Sequence, residues 1–403
     1  MLLARPAAAH AEVDGDSLRV SLVTFGPGDH PFFKFGHNAI LIENQGGQGI
    51  VYNFGMFDFS SPALIPKFIL GRSEYWLGRT DRDRTMEGYI ADDRTIEIQE
   101  LDLTAPQRKS LFERLEDNAR PQNRNYLYDY FSDNCSTRVR DALDTALAGK
   151  LRQAAGAPAR LSYRAHALRL VGDLGWEYLA LFYALGLPAD QRATRWQESF
   201  IPMELRDVVR TVRIPGDAGA DKPLVKSERL VFRSSRPDPP LDPPHRTRYF
   251  ALVGIGTGGL CFLLGVVGRR ARAARVALGS LSALLGFIAG LAGVLLIFLW
   301  VATNHRAAHA NANILQSVPW AIALLVLGIQ VALGRKPAAQ RAFIITAAAA
   351  ATSLFGLGAR ITGLLGQDNG AFVALFLPLW LGMALAFHAL LRGETLRTPR
   401  TSP

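Results

Sequence analysis

The sequence predicts a soluble α+β domain followed by an all-α domain of five membrane-spanning helices. Nearly all acidic side chains lie before about Thr247, whereas from Arg248 onward only Asp368 and Glu394 are acidic and long apolar runs dominate. Short alternating runs in the first part are typical of strands, and the later apolar runs are long enough for transmembrane helices. We therefore divide the chain into a leading segment, 1–12, a soluble domain, 13–236, a linker, 237–248, a membrane domain, 249–392, and a tail, 393–403.

The basic excess of the chain indicates membrane topology rather than nucleic-acid binding. The formal charge of the 403 residues is +10, but much of the excess lies in short arginine clusters between apolar runs. Clusters of this kind orient transmembrane helices by remaining on the cytoplasmic side. We therefore expect membrane lipids, and no nucleic acid, among the partners.

The leading segment looks like the end of a signal peptide. Ala9-His10-Ala11 has the A-x-A pattern of a cleavage site, but the apolar stretch before it, Met1–Ala4, is short. A signal peptide usually has an apolar core of about 7–15 residues. Either the assigned start is late or the first membrane helix directs export, and we favour the late start.

The soluble domain reads as strands followed by helices. Alternating apolar and polar residues predict a strand at 17–25, and similar runs predict strands at 37–42, 50–54, 75–80 and 94–103. A short apolar helix is predicted at 62–70. Thr104 and Gln107 have the spacing of a capping box and predict a helix that extends to about Arg120.

Cys135 lies at the predicted start of a helix within 123–150, NRNYLYDYFSDNCSTRVRDALDTALAGK. The Ser-Asp-Asn sequence that ends at Asn134 is rich in N-cap residues, and apolar residues recur every four positions from Val139 to Leu147. Gly149 is expected to end the helix. The dipole and free N–H groups of a helix N-terminus stabilise a thiolate, which is the nucleophilic form of cysteine. The sequence thus predicts an acylation site.

The second cysteine does not compete for this role. Cys261 lies in the middle of an apolar span, where a cysteine of the soluble domain would not reach it. We therefore expect Cys135 to be a free thiol, and a lone thiol in an exported domain favours a catalytic role.

A thiol nucleophile needs a base, and His37 is the candidate. It opens the strand-like run GHNAILI, while His30, in the turn just upstream, is the competitor. A third group should orient the imidazole. Asn53 and Asp58 are equally good candidates by position, and Asn134 or the backbone N–H of Cys135 could stabilise an oxyanion.

Two further groups could contact a lipid substrate. Tyr126, Tyr128 and Tyr130 alternate with other residues, and they either pack in the core or line an acyl groove. Arginines around Trp76, beginning with Arg72, either meet anionic headgroups or form a solvated face. Tyr128 and Arg72 are the substrate-binding candidates from these groups.

The membrane domain follows a stiff Pro-rich stretch at 237–244. Periodic apolar residues at 161–187 predict further helix before it. Five apolar spans lie at about 249–267, 276–302, 315–333, 342–365 and 371–391. The loops after the first and third spans and the tail are rich in Arg and Lys, so the positive-inside rule predicts that the soluble domain lies outside.

One outside loop, TNHRAAHANAN at 303–313, carries clustered polar side chains. His305 and His309 are four residues apart, but two imidazoles without a carboxylate or thiol are a weak metal signal, and no metal is expected. A polar loop at headgroup level is the simpler alternative. We favour a loop whose His305, His309, Asn311 and Asn313 bind a phospholipid headgroup or the molecule that accepts the acyl group.

Four motifs, GHNAILI, VYNFGMFDF, YLYDYFSDNCSTRVRDAL and NHRAAHANANIL, occur in this order along most of the chain. The Gly-His strand before an Asn-Cys helix start resembles a circularly permuted papain-like, NlpC/P60-like thiol fold. The closer resemblance is to the bacterial Lnb-type lipoprotein N-acyltransferase family, in which a periplasmic thiol domain with both motifs precedes membrane helices.

The resemblance implies an acyltransferase of the bacterial inner membrane with its catalytic domain in the periplasm. The implied acyl donor is a phospholipid, the intermediate a Cys135 thioester, and the acceptor the N-terminal amine of a diacylated lipoprotein; no cofactor is implied. Three alternatives remain. They are a thiol phospholipase, a membrane-anchored NlpC/P60-like cell-wall peptidase, and a receptor or assembly module with an inert Cys135.

Overall fold

The computed structural model describes residues 13–58, 60–216, 220–393 and 396. The described residues fall into two compact units. The first runs up to Leu174 and continues over Arg192–Asp242, and the second combines Gly175–Gln191 with the chain from Pro243 onward. The predicted signal-peptide remnant, 1–12, and most of the tail lie outside the described residues.

The first unit contains nine strands among the described residues, and all of their pairings are antiparallel. They are β1 (Leu18–Phe25), β2 (His37–Asn44), β3 (Gly49–Met56), β4 (Glu74–Asp81), β5 (Ile96–Leu101), β6 (Asn125–Leu127), β7 (Arg213–Pro215), β8 (Asp221–Pro223) and β9 (Val225–Phe232).

The helices of both units are numbered together in chain order. They are α1 (Leu64–Ile69), α2 (Arg82–Ala91), α3 (Ala105–Asn118), α4 (Cys135–Ala146), α5 (Lys150–Ala154), α6 (Tyr163–Leu170), α7 (Gly175–Ala184), α8 (Arg195–Glu198), α9 (Pro202–Thr211), α10 (Thr247–Gly268), α11 (Arg272–Ala302), α12 (Leu324–Ala332), α13 (Lys336–Ile361) and α14 (Gly370–Leu391). Helices α7 and α10–α14 belong to the second unit.

Seven strands of the first unit form one sheet in the order β6-β4-β3-β2-β1-β5-β9, with antiparallel neighbours throughout. Successive side chains of a strand point to opposite faces. On one face Leu22 and Ile40 pack in a core with Val139 and Leu143 of α4, and on the other Val23 packs in a core with residues of α2. The sheet is therefore covered on both faces.

The strands and helices predicted from periodicity are found close to their expected bounds, and the structure adds others. The capping box of Thr104 and Gln107 opens α3 as predicted. Helix α2 and strands β6 and β9 were not predicted from the sequence. A separate two-stranded ladder forms where Asp221–Pro223 pairs with Arg213–Pro215.

The second unit is built on long apolar helices. Four of them, α10, α11, α13 and α14, are long and apolar enough to cross a membrane. The third predicted span, 315–333, is not one helix, because Arg306–Leu315 and Pro319–Ala332 meet at a bend of 60°. Proline lacks an N–H and disfavours helical backbone before it, which explains the break at Pro319. Counting this bent pair as one span gives five.

Close approach of the helix backbones holds the second unit together. Gly258 on α10 faces Gly382 on α14, and a Cβ added at Gly382 would lie 2.2 Å from the Gly258 carbonyl oxygen. Small residues of this kind let transmembrane helices pack tightly. The predicted fold class, a sheet-containing α+β domain followed by a helical membrane domain, is confirmed.

Candidate functional site

The nucleophile candidate, Cys135, is the first residue of α4. Asn134 is the N-cap, and its side chain accepts a hydrogen bond from the Thr137 N–H while the Thr137 hydroxyl accepts from the Asn134 N–H. This reciprocal capping box fixes the start of the helix. The Cys135 side chain is 9% exposed, so it lies at the edge of the core rather than in open solvent.

The environment of Cys135 sets two effects against each other. Burial raises the pKa of the thiol, and hydrogen bonds from the backbone N–H groups of Asn38, Ser136 and Cys135, with the charge of Arg94, oppose that rise. The net direction is upward, which differs from the thiolate expected for a helix N-terminus. Desolvation therefore outweighs the helix dipole at this position, and the resting residue is a neutral thiol at pH 7.

The base candidate, His37, is the first residue of β2, and Asn38 connects that strand to α4. Asn38 Nδ2 donates to Ser136 Oγ at 3.0 Å and to the Pro202 carbonyl at 3.2 Å, and its Oδ1 accepts from Thr24 Oγ1 at 2.9 Å. All of this occurs in a fully buried position. The residue next to His37 in sequence thus holds the residue next to Cys135.

The ring of His37 is oriented by a chain of hydrogen bonds. Thr85 Oγ1 donates to the Asp81 carbonyl at 2.7 Å, so it accepts from Thr80 Oγ1, also at 2.7 Å. The Thr80 oxygen then accepts from Asn53 Nδ2 at 2.7 Å, which turns Asn53 Oδ1 toward His37 Nε2 at 3.2 Å. Because an amide oxygen can only accept, Nε2 carries the hydrogen and Nδ1 is the basic nitrogen.

This geometry distinguishes between Asn53 and Asp58, the two candidates for the residue that orients the imidazole. Asn53 is 4% exposed and bonded to His37. Asp58 lies on the exposed loop after β3, where its carboxylate accepts from the N–H and the hydroxyl of Ser60 at 2.8 and 2.6 Å. The structure therefore brings Asn53, and not Asp58, to the imidazole.

The pKa of His37 is lowered to about 4, first by burial of the ring and second by the charge of Arg94, against a smaller opposing effect of Asn53. The imidazole is therefore neutral at pH 7 and able to accept a proton. His30, the competing histidine, has its ring stacked near Phe32 and accepts from the Phe32 N–H at 3.4 Å in the turn before β2.

Asn134 has its side chain committed to the fold. In addition to the cap, Nδ2 donates to the carbonyls of Tyr130 and Phe200 at 2.9 and 3.0 Å. An amide has two donor hydrogens, and both are used. The Asn134 side chain therefore has no remaining N–H with which to bind an oxyanion. The backbone N–H groups near the Cys135 sulfur remain candidates for that role.

Gly55 and Tyr128 line the approach to Cys135. A Cβ added at Gly55 would lie 3.4 Å from the Cys135 Cβ and 3.9 Å from Tyr128 Cε2, and Gly55 has a φ of +90° that favours glycine. The Tyr128 ring packs edge-on against Tyr75 at 4.2 Å and Tyr130 at 5.4 Å. Arg72, by contrast, is exposed in the turn between α1 and β4.

The histidines predicted to bind substrate lie in the second unit. His305 precedes a single 3₁₀ turn, and His309 follows it with Nε2 at 3.2 Å from the Thr303 carbonyl. Both are partly exposed. Within the described residues, no group of three or more His, Cys, Asp or Glu side chains is arranged to hold a metal ion.

The two asparagines predicted to bind substrate in this loop are buried. Asn311 is 2% exposed, and its Nδ2 lies 2.9–3.1 Å from the carbonyls of residues 183, 184 and 185 at the end of α7. Asn313 is fully buried, and its Nδ2 donates to the Tyr183 carbonyl at 3.0 Å. These side chains cap the C-terminus of α7, whose last carbonyls lack helical partners.

Arg94 is the residue at the site that sequence reasoning missed. It is 3% exposed and its charge acts on both His37 and Cys135. The signal in the sequence is weak, because Arg94 is the first residue of a predicted strand, 94–103, whose alternation concerns its apolar residues. Its position at the site depends on which strands are neighbours in the sheet.

Comparison with known families gives two matches in chain order. Residues 4–169 match the Lnb N-terminal periplasmic domain, and residues 259–391 match the Lnb transmembrane domain. No curated protein and no solved structure matches the chain. The matched segments cover more than half of the sequence, and they assign the first domain to the periplasm and the helical domain to the inner membrane. The chain therefore belongs to the Lnb family of membrane proteins that process bacterial lipoproteins.

Proposed function

We propose that the protein is a lipoprotein N-acyltransferase that works through a thioester on Cys135. The observation that carries the proposal is the joining of the His37 strand to the Cys135 helix through Asn38, with Asn53 holding the imidazole. A thiol, a neutral base and an orienting amide are the parts that nucleophilic acyl transfer requires. Family membership supports lipoprotein and lipid substrates.

The first half-reaction forms the thioester. His37 Nδ1 takes the Cys135 proton as the sulfur attacks the carbonyl carbon of a phospholipid acyl ester. The tetrahedral oxyanion collapses, the ester C–O bond breaks, and the imidazolium returns the proton to the departing lysophospholipid oxygen. The backbone N–H groups that face the sulfur are suitable donors for the charge that develops there.

The second half-reaction uses an amine as the nucleophile. The α-amine of a diacylglyceryl-cysteine attacks the thioester carbonyl, and the C–S bond breaks. His37 takes a proton from the attacking amine and passes it to the Cys135 sulfur, which regenerates the neutral thiol. An amide is formed on the lipoprotein. Over the two half-reactions the original Cys135 proton ends on the lysophospholipid oxygen, and a proton of the amine replaces it on the Cys135 sulfur.

An apolar row from Cys135 to an exposed helix supports an acyl substrate. Tyr128 next to the site packs on Tyr130, and the Tyr130 ring lies 6.0 Å from Phe68 of α1. On the same short helix Ile65 is 69% exposed and Ile69 is 48% exposed. Exposed apolar residues next to an aromatic wall suit a hydrocarbon chain, and we assign Tyr128 to this wall.

The test is mass spectrometry of the N-terminal peptide of a reporter lipoprotein. Cells that lack any other N-acyltransferase express the wild type, Cys135→Ala, His37→Ala or the matched control Cys261→Ala. We expect a triacylated peptide with the wild type and Cys261→Ala, and a diacylated peptide with the two site variants.

The alternatives give different products. A diacylated peptide with the wild type at normal membrane levels contradicts N-acyl transfer. Lysophospholipid release that depends on Cys135 without peptide acylation would indicate a thiol phospholipase. Cleavage of wall peptides would indicate an NlpC/P60-like peptidase, and full activity of Cys135→Ala would contradict any thiol mechanism.

A further inference from the structure

Arg94 is a buried cation held between aromatic rings. Its guanidinium carbon lies 4.6 Å from the centre of the Tyr89 ring and 5.3 Å from that of Phe33. Nε donates to the Gly26 carbonyl at 2.9 Å. The side chain is 3% exposed, and its Nη2 atom is buried without a hydrogen-bond partner among the described residues.

The sheet places Arg94 about two strands away from His37. Phe25 at the end of β1 pairs with His37 on one side and with Ile96 on the other. Neighbouring strands are about 5 Å apart, so Arg94, two residues before Ile96, starts about two strands from His37. The Tyr89 ring bridges this gap, because it stacks on Phe25 at 3.6 Å and lies nearly parallel to the His37 ring at 6.2 Å.

The charge of Arg94 lacks a close counter-ion. No carboxylate of the described residues lies within ion-pair distance of it. The charged or titratable groups that act on it are Tyr89, Asp92 and Cys135, which favour its charge, and Arg236, which opposes it. Asp92 is exposed and solvated. A buried charge without a partner is costly, so an anion that forms at buried Cys135 would offset part of this cost.

We propose that Arg94 is a positioning residue that sets the charges of the catalytic pair, favouring negative charge at Cys135 and opposing positive charge at His37. The inference rests on the proposed thiol function. Three tyrosines, Tyr89, Tyr126 and Tyr128, interact electrostatically with Cys135. Burial raises the pKa of each phenol, and a negative charge on Cys135 would raise it further. The tyrosines therefore stay neutral, and Arg94 supplies the positive charge that acts on the sulfur.

The positive charge of Arg94 favours both proton transfers of the reaction, the one from Cys135 and the one from the His37 imidazolium. The fixed charge stabilises the anionic sulfur and the oxyanion that follows it. It also makes the His37 imidazolium a stronger acid, so that the proton is returned quickly to the leaving oxygen. Arg94 itself exchanges no proton, since guanidinium stays charged in proteins.

The test is the pH profile of Cys135 alkylation by iodoacetamide, measured on the full-length protein in detergent. The Cys261→Ala background leaves Cys135 as the one thiol of the chain. Variants Arg94→Gln and Arg94→Lys are compared at matched thermal stability. We expect Arg94→Gln to move the profile to higher pH and to slow alkylation at pH 8 by about tenfold, which is one pKa unit. Arg94→Lys should restore at least half of the shift because it keeps the charge.

Superimposable profiles for Arg94→Gln and the parent would overturn the proposal. Equal shifts in Arg94→Gln and Arg94→Lys would also overturn it, because packing rather than charge would then be responsible. If Arg94→Gln does not fold, Arg94→Met serves the same comparison, since its unbranched side chain can pack between the two rings without charge. Alkylation needs no lipid substrate, so it reports on Arg94 even where lipoprotein acylation fails.

Discussion

At the scale of single residues, the protonation states of the candidate pair differ from those expected of a thiolate enzyme. Burial raises the pKa of Cys135, and burial with Arg94 lowers the pKa of His37 to about 4. The resting pair is thus a neutral thiol and a neutral imidazole at pH 7. Such a pair reacts by general-base catalysis at the moment of attack, not through a preformed ion pair.

This difference predicts two separate pH profiles for the same cysteine. Acylation of Cys135 by a soluble p-nitrophenyl ester, followed by mass spectrometry, should be flat from about pH 5 to pH 8 and should fall as the pH drops through 4. The sign follows from His37, which loses its basic nitrogen when it is protonated. Iodoacetamide alkylation should instead keep rising above pH 9, because it needs the thiolate. Half-maximal acylation near pH 6.5 would contradict the lowered pKa of His37.

The hydrogen-bond chain to His37 predicts an effect of a residue that touches no substrate. Thr80→Val removes the acceptor of Asn53 Nδ2, so the amide can turn and Asn53 Oδ1 can leave the imidazole. We expect acylation of Cys135 to slow by about 10- to 100-fold. Thr80→Ser keeps the hydroxyl and should retain most of the rate. Equal rates in the valine and serine variants would show that Thr80 does not orient the site.

At the scale of elements, the site depends on how β2 and α4 are joined. Next to the candidate residues His37 and Cys135 their contact is polar, through Asn38 and Ser136. Further along it is apolar, through Ile40, Val139 and Leu143. The amphipathic pattern of α4 and the alternation of β2 indicate which faces are buried. Neither pattern states that the two faces meet, since Asn38 and Ser136 are far apart in sequence.

The role of the polar loop 303–313 in the second unit also depends on contacts between elements, here between the loop and α7. Asn311→Ala removes a donor that lies near three carbonyls at the end of α7 and leaves them buried. We expect the free energy of unfolding to fall by about 1–3 kcal/mol. The measurement is the thermal midpoint in detergent, with exposed Arg306→Ala as the matched control that should leave the midpoint unchanged.

Lipoprotein acylation separates this structural role from substrate binding. If Asn311→Ala keeps the wild-type midpoint but requires more substrate for the same rate, the substrate role predicted from the sequence is favoured. If the midpoint falls and the remaining folded protein acylates normally, Asn311 serves the fold. Asn313→Ala is tested in the same way, because the Asn313 amide also donates to the Tyr183 carbonyl at the end of α7.

At the scale of the whole molecule, the arginine distribution and the apolar helices predict a single topology. The turn between α10 and α11 is basic, whereas the loop after α11 contains the exposed residue Asn304. With Cys135 and Cys261 replaced by alanine, a membrane-impermeant maleimide applied to periplasm-permeable cells should label Asn304→Cys and not Arg270→Cys. Labelling of both only after the inner membrane is opened would contradict an outside loop after α11.

The division into units was only partly predictable from composition. The change in acidic content near Thr247 lies close to Pro243, where the chain enters the second compact unit for the last time. It did not reveal that Gly175–Gln191 joins the second unit, because α7 is an ordinary apolar helix by its sequence. Its assignment depends on long-range bonds, such as those from Asn311 and Gln367 to the Leu185 carbonyl.

The sequence by itself determined the features that depend on near neighbours in the chain. Alternation predicted β1 to β5, an N-cap signal predicted the helix start at Cys135, and apolar length predicted the membrane helices. Only the tertiary structure shows that Asn53, and not Asp58, contacts the imidazole of His37. The burial of Asn311, the raised pKa of the Cys135 thiol and the position of Arg94 near the candidate site also depend on the folded structure. The physical reason is that hydrogen bonding, desolvation and charge act between residues far apart in sequence, which only the folded chain brings within a few ångströms.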